Sequence, residues 1–284
     1  MADAQPGILA PVPRLGRYLN FSLKAGAEPR QTLPKLIDVA DGNQTIVGLG
    51  QPAVLALGKT IRGLKPFPTH FGGGLVLPST SSALWCWLRG QDRGDLLHQS
   101  KKIADTVAAA FNLDGVIDAF SYSTGRDLTG YEDGTENPQG DKAVDAAIVA
   151  GQGAALDGSS FVAVQLWVHD FKAFDAMSSA DQDNAIGRRK SDNKELVDAP
   201  ASSHVKRTAQ ESFGARSLCF APLDALGRGH ARRTQLRRLR QIVRRLRSTI
   251  KKNGRCRRRH HRRAVQVYPA GFRKLFLVSA DDSR

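Results

Sequence analysis

The chain has 284 residues, 41% of them hydrophobic, which suffices for one large or two small domains. Residues 213–284 hold 21 Lys and Arg but only 3 Asp and Glu, whereas residues 1–212 hold 21 basic and 24 acidic residues, so a nucleic-acid function is not indicated for the body of the protein. The three cysteines, Cys86, Cys219 and Cys256, lack C-x-x-C spacing, which argues against a zinc site or a disulfide framework and favours a reducing compartment.

The first 150 residues predict a mixed α/β unit. The N-terminus has no apolar run behind a basic flank, and no stretch reaches the roughly 18 apolar residues of a membrane span, so we expect a cytoplasmic protein without a membrane partner. Strands are predicted at Tyr18–Leu23 and Leu84–Leu88, and helices at Thr32–Ala40 and Gln91–Leu113. In the second helix, apolar residues recur at helical spacing: Leu96, Leu97, Ile103, Val107 and Phe111.

The same alternation begins again after residue 140. We predict a short helix at Ala143–Ala150, an apolar strand at Ser160–Val168, and a helix that starts near Ser179 and ends at Gly187. A loop at Asp198–Ser203 follows, with His204 directly after it. Strand–helix segments that recur on both sides of a central loop suggest two similar α+β halves, each of the ferredoxin-like type.

The loop Gly130–Pro138, with the sequence GYEDGTENP, places one aspartate among turn-forming residues. An aspartate in a turn commonly caps backbone N–H groups, and Gly134 would supply the positive φ that such a turn needs. Glycines on both sides of Asp133 also allow the backbone to approach a flat, bulky group, and Pro138 fixes the exit of the loop. From the residues alone, both a turn-stabilising role and a ligand-facing role stay open for Asp133.

His204 is the second candidate residue. A single histidine is usually a surface or core residue, so its position alone does not establish a ligand role. The other histidines considered are weaker candidates, because they lie beside a glycine run, on a polar helix face or along a strand: His70, His98 and His169.

Several motifs occur in a fixed order between about residue 7 and residue 212. The G-x-x-D-G motif lies within Arg126–Pro138, and the segments IGRRK (186–190), DAP (198–200) and SHVKRT (203–208) follow it. Two N-terminal segments, PVPR (11–14) and LWCWLRG (84–90), belong to the same pattern. Together these motifs resemble the dye-decolourising peroxidase family, in its bacterial B-type branch.

The resemblance implies an α+β enzyme in which two ferredoxin-like halves form a dimeric α+β barrel. Residues 1–140 would be the first half, ending in the G-x-x-D-G loop, and residues 141–212 would begin the second half. The implied activity is a haem-dependent peroxidase, which reduces hydrogen peroxide and oxidises dyes, phenols or similar small-molecule donors by one electron at a time. A homo-oligomer is also implied.

The resemblance also implies roles for individual residues around haem b (iron protoporphyrin IX). His204 would be the proximal iron ligand, and Asp133 would be the catalytic residue that moves the proton of hydrogen peroxide. Further cofactor-binding residues would be Gly134, Glu136, Asn137 and, at a haem propionate, Arg188. For Arg188, a solvated cation at a helix end is an equally open interpretation. We expect Tyr131 and Trp167 to be core aromatics rather than electron carriers.

The basic tail (residues 213–284) departs from the family pattern, so the C-terminal part of the second half is expected to be aberrant. The segment ARSLCFAP (215–222) has no arginine where the family has its distal arginine, because Arg216 comes too early. Arginine-rich stretches such as RCRRRHHRR (255–263) are typical of a GC-rich reading frame translated out of register. We therefore predict a frameshifted or disordered tail, with peroxidase turnover impaired by the missing arginine.

Two other functions stay open from the sequence. One is a haem-handling or iron-releasing protein, which would keep the cofactor but change the chemistry. The other is a protein that binds nucleic acid or an anionic surface through the basic tail, although nucleic acid is not the favoured partner.

Overall fold

Nine strands form one antiparallel sheet in the computed structural model, which describes residues 4–66, 69–72, 75–77, 79, 81–166 and 168–208 and five later strands. The strands and α-helices of the first half are β1 (Leu15–Leu23), α1 (Leu33–Ile37), β2 (Thr45–Gly50), α2 (Gln51–Ala56), β3 (His70–Gly72), β4 (Leu75–Leu77), β5 (Leu84–Gly90), α3 (Arg93–Val107) and β6 (Phe111–Phe120). Short 3-10 turns occur at Pro6–Ile8 and Pro29–Gln31.

The first half has ferredoxin-like topology. Its four main strands lie in the order β6-β1-β5-β2, and all neighbours are antiparallel. Numbered by position in the chain, this is the order 4-1-3-2, with α1 after the first strand and α3 after the third. This β-α-β-β-α-β succession is that of the ferredoxin-like fold.

The second half repeats the same strand order. Its elements are α4 (Asp141–Ala147), β7 (Ser160–Leu166), β8 (Val168–His169), α5 (Phe171–Asp175), α6 (Ser179–Ile186), α7 (His204–Thr208), β9 (Leu218–Cys219), β10 (Asp224–Ala225), β11 (Ala231–Leu236), β12 (Val265–Gln266) and β13 (Arg273–Val278). The order β13-β7-β11-β9 is again 4-1-3-2, and β13 pairs with β2 to join the two halves. The α+β class with two ferredoxin-like halves is therefore confirmed.

The basic tail supplies strands β9, β10, β11, β12 and β13. Its other residues, including Arg216 and the arginine-rich stretch 255–263, lie outside the described residues. The frameshift concerns the encoding DNA and stays a prediction, as do the domain boundaries at residues 140 and 212.

Apolar residues cover both faces of the first-half sheet. One face packs on α1 and α3 through Leu19, Phe21, Leu36, Ile103 and other buried side chains. On the other face, the rings of Tyr18 and Trp85 stack at 5.9 Å and those of Tyr18 and Trp87 at 6.1 Å. Because the strands are buried on both sides, β5 is a continuous apolar run rather than an alternating one.

Several predicted elements differ from the observed ones. Helix α3 ends at Val107, and Phe111, predicted on its apolar face, instead begins β6 and pairs with Leu23. Phe111 would be buried whether it belonged to a helix or to a strand, so its helical spacing alone could not exclude a strand. Strand β2 was not predicted, and α6 is capped by Ser178, whose side chain accepts a hydrogen bond from the Asp181 backbone, rather than by Ser179.

Candidate active site

The acid loop (residues 126–138) carries Asp133 in an irregular backbone. The backbone N–H of Asp133 donates to the Gly125 carbonyl at 3.3 Å, and Asp133 Oδ1 accepts from the Gly134 N–H at 2.7 Å. Glycines 130 and 134 adopt φ of +88° and +78°, so the predicted positive φ at Gly134 is confirmed. The carboxylate is half-buried, and its Oδ2 atom is shielded from solvent.

A tight turn at residues 188–195 faces this loop and is called the 188–195 turn below. It begins directly after Gly187, which ends α6 with φ +92°, as the sequence predicted. Arg188 and Glu195 form an isolated antiparallel bridge, and the Arg189 N–H donates to the Lys194 carbonyl at 2.9 Å. At its tip Asn193 adopts φ +56°, a left-handed conformation that asparagine tolerates better than most residues.

Arg188 links the 188–195 turn to the acid loop. Its Nη2 atom lies 2.6 Å from Glu136 Oε1 and 3.9 Å from Glu195 Oε2, and its Nη1 donates to the Asn193 carbonyl at 2.9 Å. The Arg188 side chain is only 12% exposed, whereas that of Glu136 is 70% exposed. The guanidinium is therefore held in a fixed orientation by partners from both segments.

Tyr131 anchors the opposite end of the acid loop against α6. It is 3% exposed, and its hydroxyl donates to Asp183 Oδ1 at 2.5 Å. Asp183 Oδ1 also accepts from the Lys190 N–H at 3.1 Å, and Lys190 Nζ lies 4.9 Å from the centre of the Tyr131 ring. Burial, and next the hydrogen bond to Asp183, raises the pKa of Tyr131 above its usual value. The expectation that Tyr131 is a core aromatic is confirmed, whereas Trp167 lies outside the described residues.

His204 is the first residue of α7 and is half-buried. Ser203, directly before it, is fully buried; its carbonyl accepts from the Arg207 N–H at 3.0 Å and its Oγ from the Lys206 N–H at 3.4 Å. Gly187 approaches this helix start so closely that a Cβ there would lie 2.9 Å from Ser203 Oγ. The end of α6 therefore fixes the backbone that presents His204.

A second ion pair connects α7 to the 188–195 turn. Lys206 Nζ lies 2.8 Å from Glu195 Oε1. The hydrogen bond from Lys206 lowers the pKa of Glu195. The turn thus contacts the acid loop through Arg188 and Asn193 and the histidine-bearing helix through Glu195.

The structure brings some of the predicted site residues together. Glu136 and Arg188 form a direct ion pair, and the backbone N–H of Asn137 donates to the Gly134 carbonyl at 2.9 Å. Asp133 and His204 are carried by two segments that contact the same turn. Sequence reasoning missed the residues that make these connections: Glu132, Thr135, Asp183, Asn193, Glu195 and Lys206. The stretch SDNK (191–194) is typical of a turn, but nothing in it indicates a contact with a loop some 60 residues earlier.

The donor groups present fit a haem iron better than a metal held by the protein alone. Within the described part of the chain, no three or more His, Cys, Asp and Glu side chains come together as a metal cage. A haem supplies four nitrogen ligands from its own porphyrin, so it needs only one imidazole from the protein, and a carboxylate can serve the reaction from a separate segment. His204 and Asp133 are the candidates for these two groups. Among the described residues, no helix is long and apolar enough to cross a bilayer.

Comparison with known proteins gives consistent results. Residues 124–219 match the family model described as Dyp-type peroxidase, C-terminal. A dye-decolorizing peroxidase of Mycolicibacterium paratuberculosis is 29% identical over 70% of this chain and 60% of its own length. One of Rhodococcus erythropolis is 30% identical over 72% of this chain and 57% of its own length. The chain therefore spans about 60% of the length of these curated relatives.

Solved structures share the fold over nearly the whole chain. A Dyp-type peroxidase protein from Shewanella oneidensis has a TM-score of 0.86 at 22% identity, covering 99% of this chain and 97% of that one. A variant of DypB from Rhodococcus jostii RHA1, in complex with heme, has a TM-score of 0.79 at 21% identity, covering 96% and 95%. The sequence matches and the common fold agree, and the chain belongs to the dye-decolorizing (Dyp-type) peroxidase family.

Proposed function

We propose that this protein is a haem b peroxidase that reduces hydrogen peroxide and oxidises dyes, phenols or similar small molecules in one-electron steps. The observation that carries the proposal is the 188–195 turn, which contacts both the segment bearing a shielded carboxylate and the helix bearing a half-buried imidazole. Family membership and the heme in the DypB complex support the choice of cofactor. As partners we propose peroxide, the reductant and further copies of the same chain, and as location the cytoplasm.

Each candidate residue has a distinct task in this proposal. Haem supplies the redox chemistry at its iron when it is bound. His204, as a neutral imidazole, would hold the iron from one side. Asp133, as a carboxylate, would take a proton from one peroxide oxygen and return it to the other, so that water can leave.

The remaining candidates would position the cofactor. Gly134, Glu136 and Asn137 would line the cofactor side of the acid loop. Arg188 already pairs with Glu136 at 2.6 Å, so it would bind a propionate and Glu136 at the same time. A propionate in this position would complete a carboxylate–guanidinium–carboxylate arrangement, which suits the forked geometry of arginine.

We also infer that turnover is reduced in this chain. A preorganised cation that stabilises charge on the departing oxygen typically contributes orders of magnitude to the rate. The segment 215–222 lacks an arginine at the place where the family pattern has one. Sequencing the encoding DNA tests the cause: an undisplaced reading frame relative to related genes would rule out a frameshift.

Visible absorption of the purified full chain with added haemin tests the cofactor. We expect a Soret band distinct from that of free haemin, and we expect His204→Ala to abolish it. His98→Ala, on the exposed face of α3, is the matched control and should behave as the parent chain. Asp133→Asn should keep the band and lose peroxide reduction.

The proposal is overturned if haemin gives its free spectrum with the parent chain or if His204→Ala leaves the band intact. Release of metal-free porphyrin would instead favour an iron-releasing function.

A further inference from the structure

We propose that Asn193 is a positioning residue for Asp133, an inference that rests on the acid–base role proposed for that carboxylate. Asn193 lies at the tip of the 188–195 turn, some 60 residues after the acid loop in sequence. Its side-chain nitrogen Nδ2 lies 3.0 Å from Glu132 Oε2 and 2.8 Å from Thr135 Oγ1. These two acceptors belong to the residue before Asp133 and the residue after Gly134.

The geometry uses both hydrogens of one amide. An asparagine NH₂ group has two donors, and here each can reach one flank of the Asp133–Gly134 pair. The two hydrogen bonds fix the ends of a four-residue segment, so the carboxylate between them is confined in position. One of the bonds is to a carboxylate, which makes it stronger than a bond between neutral groups.

The backbone of Asn193 explains why this residue type suits the position. With φ +56°, the residue is in the left-handed region, where asparagine and glycine are favoured over other residues. Its carbonyl accepts from Arg188 Nη1 at 2.9 Å, and its N–H donates to the Arg189 carbonyl at 2.9 Å. Asparagine thus combines a backbone that closes the turn with a side chain that reaches across to the acid loop.

Precise placement matters for proton transfer. Asp133 must lie within hydrogen-bond reach of the peroxide oxygen, and an error of about 1 Å in the position of a reacting group can lower a rate roughly 100-fold. Within the loop, Asp133 Oδ1 already accepts from the next residue, Gly134. That bond orients the carboxylate relative to its own loop, whereas Asn193 orients the loop relative to the 188–195 turn and, through it, to α7.

Two substitutions distinguish the contribution of the Asn193 side-chain amide from that of its backbone conformation. Asn193→Gly keeps the left-handed backbone and removes the amide. Asn193→Asp keeps the shape and the tolerance for positive φ, but it replaces the donors with a carboxylate beside Glu132. Asn112→Asp, on the exposed part of β6, is the control for the added charge. A purely turn-forming role for Asn193 predicts that Asn193→Gly behaves as the parent chain.

The first measurement is amide hydrogen exchange in the full chain without added haem. We expect exchange of the hydrogen-bonded amides of Asp133 and Asn137 to become about tenfold faster in both Asn193 variants, with α3 unchanged. Exchange in Asn112→Asp should match that of the parent. Unchanged exchange in the acid loop of both Asn193 variants overturns the proposal.

The second measurement is steady-state peroxidase kinetics in the haem-loaded protein. We expect kcat/KM for hydrogen peroxide to fall about tenfold in both Asn193 variants, while kcat/KM for the dye stays the same. A simple loss of folded enzyme would lower both constants in parallel, and that result also overturns the proposal. If no variant binds haem, the proposed peroxidase function fails, while the exchange experiment still decides whether Asn193 holds the loop.

Discussion

Replacing Tyr131 with phenylalanine is expected to destabilise the attachment of the acid loop to α6. The substitution removes the hydroxyl that donates to Asp183 Oδ1 at 2.5 Å, and Tyr131 is only 3% exposed. A hydrogen bond to a charged group contributes about 1.5–3 kcal/mol. Asp183 keeps its bond from the Lys190 backbone at 3.1 Å, so its carboxylate remains partly satisfied. We therefore expect a loss of about 2 kcal/mol in the free energy of unfolding, or roughly 4–8 °C in Tm.

The same substitution has a characteristic pH dependence. Because the pKa of Tyr131 is raised in the folded protein, its contribution to stability is fully present below the unfolded value of about 10 and is lost as the pH rises through the folded value. The stability difference between the parent chain and Tyr131→Phe should therefore shrink above pH 10. Urea unfolding followed by circular dichroism at pH 7 and above pH 10 measures it. Tyr122→Phe, at a 45% exposed position, is the control and should have no effect. A difference under about 0.5 kcal/mol at pH 7, or one that is constant with pH, would refute the reasoning.

Three further substitutions test the segments around His204. Gly187→Ala should lower the free energy of unfolding by about 1–3 kcal/mol and weaken haem binding. Gly26→Ala is the control, because Gly26 also has a positive φ (+71°) but no atom within 4 Å of an added Cβ, so only the smaller backbone strain is expected. Equal losses of the two variants in thermal unfolding would contradict the close approach at Gly187. Glu195→Gln should make the free energy of unfolding fall less steeply as the pH is lowered into the acid range. A carboxylate with a lowered pKa stabilises the fold above its unfolded pKa of about 4.3 and loses that contribution as the pH falls through the folded value. The effect should stay below about 1 kcal/mol, since the pair with Lys206 is exposed. Arg188→Lys keeps the charge but not the forked geometry, so it should speed up exchange in the acid loop; unchanged exchange would show that charge alone suffices.

Strand β7 and the end of α6 could be predicted from the sequence. Strand β7 is a short apolar run rich in aromatic and β-branched residues, and α6 ends at a glycine. The boundary between α3 and β6 was missed because Phe111 satisfies both the helical and the alternating pattern. Its assignment to β6 depends on pairing with Leu23 of β1, a contact between segments nearly 90 residues apart.

The candidate site was predictable where a motif marks it and not where a tertiary contact builds it. The G-x-x-D-G motif marks Asp133 as a candidate, and the later motifs mark His204 and Arg188 as candidates. The partners that hold these residues are ordinary polar side chains such as Glu132, Thr135 and Asn193, whose importance comes only from the approach of two distant segments. Local patterns cannot report such an approach, because the hydrogen bonds form only in the folded chain.

The contacts that join the acid loop, the 188–195 turn and α7 lie between residues 126 and 206, upstream of the basic tail. The tail pairs mainly with the second-half sheet, since β11 and β13 pair with both sides of β7. In the first half, β13 also pairs with β2, and β10 pairs with Ala119 and Phe120 at the end of β6. The sequence of β11, ARRTQL, lacks the alternating apolar pattern of a half-buried strand, although β7 includes the buried residues Phe161, Val162 and Ala163. Any residue with a backbone N–H can pair in a sheet, but covering a buried face requires apolar side chains. If turnover is impaired by the tail, amide hydrogen exchange in the acid loop should therefore be unchanged. If turnover is impaired by a substitution at Asn193, exchange in the acid loop should become faster. Measuring exchange and turnover on the same sample separates the two causes.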